Sequence, residues 1–242
     1  MSKEKLIVAL DVDSRIRAME LVNKLAGNVG LFKVGMELFY AEGPGIIHDI
    51  TANGAKVFLD LKLHDIPNTV GRAARVLARY GAAIINVHAA GGRDMMRAAR
   101  ESAAEEAQKH GLPMPMVVAV TILTSIDQNA FNHEIGLTGA IKDRVQAWAL
   151  LSMESGLDGV VCSPQEIALV RKTCGPDFNI ITPGIRPTGT ALGDQRRVMT
   201  PSEAVRAGAS HIVIGRPITG ASDPVAAAGA ISGELVRTAK AN

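Results

Sequence analysis

The stretch Asp60-Leu61-Lys62-Leu63-His64-Asp65 sets a lysine between two carboxylates inside an otherwise apolar run. An isolated ammonium removed from water costs several kcal/mol or loses its proton, so a lysine in such a place needs acidic neighbours. A lysine held in this way can meet negative charge as it develops on a substrate, or deliver a proton to it. Two more charges interrupt apolar runs: Asp11 in Ala9-Leu10-Asp11 and Lys33 in Phe32-Lys33-Val34-Gly35. Asp11, Lys33, Asp60, Lys62 and Asp65 make a set of alternating sign. At about 4 Å and an effective dielectric near 20, each opposite pair attracts by roughly 4 kcal/mol before desolvation is subtracted. Such an array holds charge in place without a metal ion. One charged residue in a strand is as readily a structural ion pair; this many at the ends of successive apolar runs point to a reaction site.

The C-terminal part supplies residues suited to an anion. Thr182-Pro183-Gly184-Ile185-Arg186-Pro187 and Ile214-Gly215-Arg216-Pro217 combine small residues, which let a ligand approach backbone N–H groups, with guanidinium donors at Arg186 and Arg216. The segment from Arg186 to Met199 contains Gly189, Gly193, Gln195, Arg196 and Arg197, and its length suits a lid better than a plain connection. His64 and His88 are expected to be core histidines at least as readily as catalytic ones. Cys162 is expected to be a small apolar filler, because no base is visible near it in sequence.

These residues must be positioned by the elements around them. Short β-branched runs recur at Leu6–Val12, Leu31–Met36, Lys56–Leu63, Ala83–Ala89, Met116–Leu123, Gly159–Cys162, Asn179–Pro183 and His211–Gly215, with starts roughly 30 residues apart and helical stretches such as Arg93–Lys109 between them. Gly54, Gly81, Gly156 and Gly208 stand where helices should stop. Ser163-Pro164-Gln165-Glu166 and Thr200-Pro201-Ser202-Glu203 each read as a capping hydroxyl, a first-turn proline and a glutamate three residues after the cap. Eight βα units in this length predict an α/β fold, a closed (β/α)8 TIM barrel forming a single domain over 1–242. An open nucleotide-binding sheet would need a Gly-rich first turn, and Asp11-Val12-Asp13-Ser14-Arg15 has none. In a barrel the site lies at the C-terminal ends of the strands, where the charged residues fall. Alternation then puts Phe58, Asp60, Lys62 and His64 on one side and Leu59, Leu61 and Leu63 on the other, packed against helices.

Composition narrows the class. The chain has 242 residues, 47% apolar and 21% charged, with a net charge of +2, which excludes a disordered chain and is too small for a surface built to bind nucleic acid. No apolar run approaches a membrane span, and the opening Met1–Leu10 lacks the apolar region of a secretory signal. Cys162 and Cys174 lack metal-site or framework spacing, so a reducing, cytoplasmic location is expected.

The run Asp60-Leu61-Lys62-Leu63-His64-Asp65-Ile66-Pro67-Asn68-Thr69-Val70 resembles the signature of the orotidine 5′-phosphate decarboxylase family, and the similarity extends over essentially the whole chain. Ala9-Leu10-Asp11, Phe32-Lys33-Val34-Gly35, Leu123-Thr124-Ser125, Pro183-Gly184-Ile185-Arg186 and Gly215-Arg216-Pro217 fall in the family's order. The D-x-K-x-x-D kernel is shared with sugar-phosphate relatives, 3-keto-gulonate 6-phosphate decarboxylase and hexulose phosphate synthase, which use Mg²⁺. Those relatives carry a glutamate ligand where this chain has Lys33, and an ammonium repels a cation rather than coordinating it. The expectation is therefore a site without metal or cofactor.

The resemblance implies decarboxylation of orotidine 5′-monophosphate to UMP, with Lys62 as the stabilising cation and proton donor and Asp60 beside the substrate carboxylate. It gives Lys33 and Asp11 to the ribose hydroxyls and the charged set, Thr124 and Ser125 to the pyrimidine, and Arg186, Gln195, Gly215 and Arg216 to the phosphate. It also implies a homodimer in which Asp65 and Thr69 reach the partner subunit's site. The competing reading is a nucleotide-binding barrel that lost its chemistry; its mark, a broken D-x-K-x-x-D, is not observed.

Overall fold

The computed structural model describes residues 3–187 and 199–240. Eight strands close into an all-parallel barrel in sequence order: β1 (Leu6–Ala9), β2 (Leu31–Gly35), β3 (Lys56–Leu63), β4 (Ile84–His88), β5 (Met116–Val120), β6 (Gly159–Val161), β7 (Asn179–Thr182) and β8 (His211–Ile214). Around it run α1 (Arg15–Leu25), α2 (Met36–Glu42), α3 (Gly45–Ala52), α4 (Pro67–Arg79), α5 (Gly92–Lys109), α6 (Ile141–Glu154), α7 (Ile167–Cys174), α8 (Pro201–Arg206), the short α9 (Arg216–Thr219) and α10 (Pro224–Lys240). The expected (β/α)8 barrel is what forms. None of the described helices is long and apolar enough to cross a membrane.

Two apolar clusters follow from the alternation of side chains along each strand. Ile7, Ala9, Leu31, Phe58, Ile84, Val118, Ile181 and Val213 fill the barrel interior. Leu59, Leu61 and Leu63 belong to the larger layer between strands and helices, on the side assigned to them from sequence. Both expected capping boxes are present. Ser163 Oγ accepts from the Gln165 N–H at 3.4 Å while Glu166 accepts from the Ser163 N–H at 2.9 Å, and Thr200 and Glu203 make the reciprocal pair that starts α8. Gly81 and Gly156, at φ 78° and 80°, end α4 and α6 in the left-handed conformation that a side chain disfavours.

Several strands are shorter than the apolar runs that mark them. The β1 strand stops at Ala9, not at Asp11, and Leu10 makes a last ladder bond to the Lys33 carbonyl at 2.9 Å. Likewise β5 ends at Val120, so Ile122 and Leu123 belong to the loop above it. The apolar tail of β5 reflects the lining of a cavity, and Leu10 beyond β1 the packing between strands and helices, not the length of a strand.

The opposite, N-terminal face of the barrel carries stability. Arg171 donates to the carbonyls of Gly175, Pro176, Phe178 and Gly208 and to Ser210 Oγ, tying α7 to β7 and β8. His211 opens β8 there with its Nδ1 buried and unpartnered. Burial, aided by the charge of Lys5, pushes its pKa down to about 4 from 6.5. The folded chain thus holds His211 neutral where the unfolded chain protonates it, and stability drops as pH falls from 6.5 towards 4, by about 3 kcal/mol at roughly 1.4 kcal/mol per unit. Urea unfolding at pH 7.5 and pH 4.5 checks this: His211→Gln should lose most of the acid-linked decrease, and an unchanged pH dependence would remove His211 as its source.

Candidate active site

The strand order sets the charges side by side. On β3, Asp60 points into the barrel above Phe58, and it is flanked by the inward-facing Lys33 of β2 and Asn86 of β4. The Lys33 ammonium lies 3.0 Å from Asp11 Oδ1 and 3.4 Å from Asp60 Oδ2. Lys62 Nζ lies 2.7 Å from Asp60 Oδ1. The result is one ladder, Asp11–Lys33–Asp60–Lys62, of alternating sign. A Cβ on Gly35 would come within 3.0 Å of Lys33 Nζ, so the glycine clears the path of that side chain.

The energetics of the ladder are decided at its middle. Burial opposes charge on Lys33, but the carboxylates of Asp60 and Asp11 outweigh it and hold its pKa above the ordinary lysine value. Burial also opposes charge on Asp60, and there Lys33, Lys62 and the hydrogen bonds from Lys62 and Asn86 prevail, lowering its pKa. At these separations each contact is worth roughly 5 kcal/mol of attraction at an effective dielectric near 20, most of it offset by desolvation. The net effect is modest in stability and large in definition: each ion is fixed by its neighbours.

Lys33, Asp60 and Lys62 form one wall of a cavity of about 180 Å³ at the barrel mouth. Val120, Ile122, Val161, Cys162, Pro183 and Val213 make the rest largely apolar, with Thr124 at the edge. A site apolar but for one charged wall suits a flat ring placed against a line of fixed ions. Cys162 is 1% exposed, in keeping with the filler role expected of it. His88 and His64 pair with ring centroids 5.4 Å apart, and burial, His64 and Lys62 all press His88 towards its neutral form.

The other site residues expected from sequence are distributed as follows. Burial and the nearby charge of Arg216 lower the Arg186 pKa, which puts the two guanidiniums in one neighbourhood. The Arg186 N–H binds the Met199 carbonyl at 3.0 Å, joining the two ends of the segment expected to be a lid. Gly215 caps α9 close to Asp11. Gln195, with Gly189, Gly193, Arg196 and Arg197, lies outside the described residues. Ser125 is exposed beyond the cavity. Asp65 does not join the ladder within the described residues of this protomer; its Oδ1 accepts from the Ile66 N–H at 2.6 Å, and both Asp65 and Thr69 are exposed.

Two features were not selected from the sequence. Asn86 is fully buried, accepts from the Lys62 N–H at 2.8 Å and donates to Asp60 Oδ1 at 2.6 Å. Its signal was available: an amide in the run Ile84-Ile85-Asn86-Val87-His88, at the parity of the inward face. The second feature is the backbone of Lys62, which has φ 53° and is the one described non-glycine residue in the left-handed region.

The whole chain compares closely with proteins of known family. Residues 4–231 match the family described as Orotidine 5′-phosphate decarboxylase / HUMPS family. An orotidine 5′-phosphate decarboxylase of Moorella thermoacetica is 53% identical over 97% of this chain and 93% of its own length, and that of Syntrophomonas wolfei is 53% identical over 97% and 98%. The crystal structure of orotidine 5′-phosphate decarboxylase from Lactobacillus acidophilus superposes with a TM-score of 0.85 at 41% identity, covering 95% of this chain and 98% of that one. With an unbroken acid–lysine ladder at the mouth of a closed barrel and a match along nearly its full length, the chain belongs to the orotidine 5′-phosphate decarboxylase family.

Proposed function

We infer that the Asp11–Lys33–Asp60–Lys62 ladder serves the family's reaction, decarboxylation of orotidine 5′-monophosphate to UMP in pyrimidine biosynthesis, by fixed charge alone. The reaction follows from the family match and from relatives of that name at 53% identity. The observation that carries the mechanism is the Lys62 ammonium, 2.7 Å from Asp60 at the cavity wall. The bond from C6 to the carboxylate breaks, its electron pair stays on C6, and CO₂ departs. Lys62 stabilises that carbanion and delivers a proton to C6, giving UMP; solvent returns the proton to the amine. Asp60 stands near the substrate carboxylate, where its repulsion is relieved as CO₂ leaves.

The same geometry supports a metal-free reaction. Lys33 Nζ occupies the space between the Asp11 and Asp60 carboxylates, where the Mg²⁺-using relatives would need an anionic ligand. Arg186 and Arg216 hold the phosphate with Gln195, and Gly215 lets it near the backbone. Thr124, with Ser125 on the same loop, is assigned to the pyrimidine, and Asp11 and Lys33 to the ribose. Distant phosphate contacts fix the closed state, so their binding energy appears in turnover as well as affinity. One barrel domain accounts for the whole activity, and the reading keeps the reducing, cytoplasmic location expected from the sequence.

Incubating the EDTA-treated protein with orotidylate while following its ultraviolet absorbance tests this reading. Undiminished conversion to UMP is expected. Loss of turnover on chelation, or turnover of a sugar phosphate instead, transfers the chain to the Mg²⁺ relatives; binding of orotidylate without any conversion makes it a nucleotide-binding barrel.

The reading includes a homodimer with composite sites. Asp65 and Thr69 stand exposed beside Ile66, an apolar residue 65% exposed at the rim of the barrel mouth, and a second copy would cover all three. Mixing inactive Lys62→Ala chains with inactive Asp65→Ala chains should restore activity, because each mixed dimer regains one site with neither defect. Random pairing gives about one quarter of the parent activity per site. No recovery in verified mixed dimers would show that Asp65 acts within its own subunit.

A further inference from the structure

We infer that Asn86 is a positioning residue for the decarboxylation, one amide that sets both the backbone of Lys62 and the carboxylate of Asp60. The inference rests on the reading that Lys62 carries the reaction. The β3–β4 ladder pairs Phe58 with Ile84 and Leu59 with Ile85, then resumes at Leu63 with Val87, so the path between is two residues longer on β3 than on β4. The surplus chain bulges at Asp60–Lys62, and bulges of this kind re-aim a side chain. Lys62 adopts φ 53°, costly for a residue with a Cβ, and its N–H has no ladder carbonyl to meet.

Asn86 supplies that partner from the side. Its Oδ1 accepts the Lys62 N–H at 2.8 Å, and its Nδ2 donates at 2.6 Å to Asp60 Oδ1, the oxygen that also accepts from Lys62 Nζ at 2.7 Å. A backbone N–H can only donate and a carboxylate can only accept, so the orientation of the amide is fixed at both ends. The contacts close a ring from the Lys62 backbone through Asn86 and Asp60 to the Lys62 ammonium. The residue is fully buried in the barrel, with Lys33 as its counterpart across Asp60 on β2. Hydrophobic packing alone would call for an aliphatic side chain here, as at Val118 and Val161 on the next strands. The amide instead holds the ammonium at one place relative to the bound pyrimidine without touching the substrate.

Asn86→Ala, Asn86→Asp and Lys62→Ala should be compared for kcat, KM, UMP affinity and melting temperature from pH 6 to pH 8. Displacing a reacting group by about 1 Å costs roughly 100-fold, so Asn86→Ala should lower kcat by about 100-fold or more while KM and UMP affinity change by less than about 3-fold. Asn86→Asp keeps the shape and the acceptor for the Lys62 N–H but sets a carboxyl against Asp60, where the two share a proton. Its kcat should therefore recover relative to the parent as pH falls, when the introduced carboxyl can again donate; a role in packing alone would not produce that. A folded Asn86→Ala with kcat within about 3-fold of the parent overturns the inference. If that variant does not fold, an Asn86→Asp profile parallel to the parent's overturns it. Near-normal turnover in Lys62→Ala sinks the underlying mechanism instead, whereas its collapse beside an unaffected Asn86→Ala removes Asn86 alone.

Discussion

Lys62→Ala is expected to lower kcat by between about 10⁴ and 10⁷, because the substitution removes two effects at once. A preorganised charge facing developing negative charge contributes roughly 10²–10³, and a positioned proton donor roughly 10²–10⁴. The two act on the same carbon in sequence, so their losses compound. The fold should survive. Lys62 is an end member of the ladder, and without it Asp60 keeps the Lys33 ammonium at 3.4 Å and the Asn86 amide at 2.6 Å. UMP binding should persist as well, since Arg186, Arg216 and the apolar wall are untouched. Single-turnover decarboxylation, UMP titration and a thermal melt on the same preparation separate these claims. A folded, UMP-binding variant that still turns over within about tenfold of the parent would take the amine out of the chemistry.

How much of this site the sequence discloses depends on what kind of information each part needs. The barrel is legible because period-two apolar runs and helix caps are local signals, and the Ser163 and Thr200 boxes form as their residues dictate. The ladder is legible in its members, since Lys33 and Lys62 are charges that only acidic neighbours can keep inside an apolar run. Its order comes from the barrel register, which pairs Gly35 with Asp60 and so brings Lys33 between Asp11 and Asp60. Strand ends were less legible: Asp11 follows an apolar run without being in β1, since Leu10, packed between strands and helices, has the same pattern as a residue in a ladder. The left-handed backbone of Lys62 has no sequence signal at all, because lysine is not a residue chosen for that conformation. Asn86 is the intermediate case. Its chemistry was visible, but its importance arises only from the bulge opposite, a property of two strands together. For Asp65 and Thr69, on the proposed homodimer, the missing information is a second chain.

The second large effect belongs to Asp60, and it separates two roles that the geometry combines. Asp60→Asn keeps the shape but removes the charge between Lys33 and Lys62, leaving two ammoniums facing each other across a neutral amide. Burial then works on Lys33 with only Asp11 to oppose it, so the Lys33 pKa should fall. A kcat loss of about 10³-fold or more is expected, equivalent to roughly 4 kcal/mol of transition-state stabilisation. The direction of KM discriminates between the roles. If Asp60 only holds Lys62 in place, losing it disorders the amine and leaves KM equal or higher. If it also presses on the substrate carboxylate, its removal relieves that repulsion, and KM should fall as kcat collapses, the signature of lost ground-state strain. Because Asp60 is 13% exposed at its side chain and its charge is held by two ammoniums and an amide, it cannot relax away from an incoming anion by taking up a proton near neutral pH. The lower KM is therefore the expected result, measured together with the affinity of UMP, which lacks the carboxylate and should gain less than orotidylate does. An equal gain for both would assign the effect to general electrostatics of the pocket and leave Asp60 as a support for Lys62.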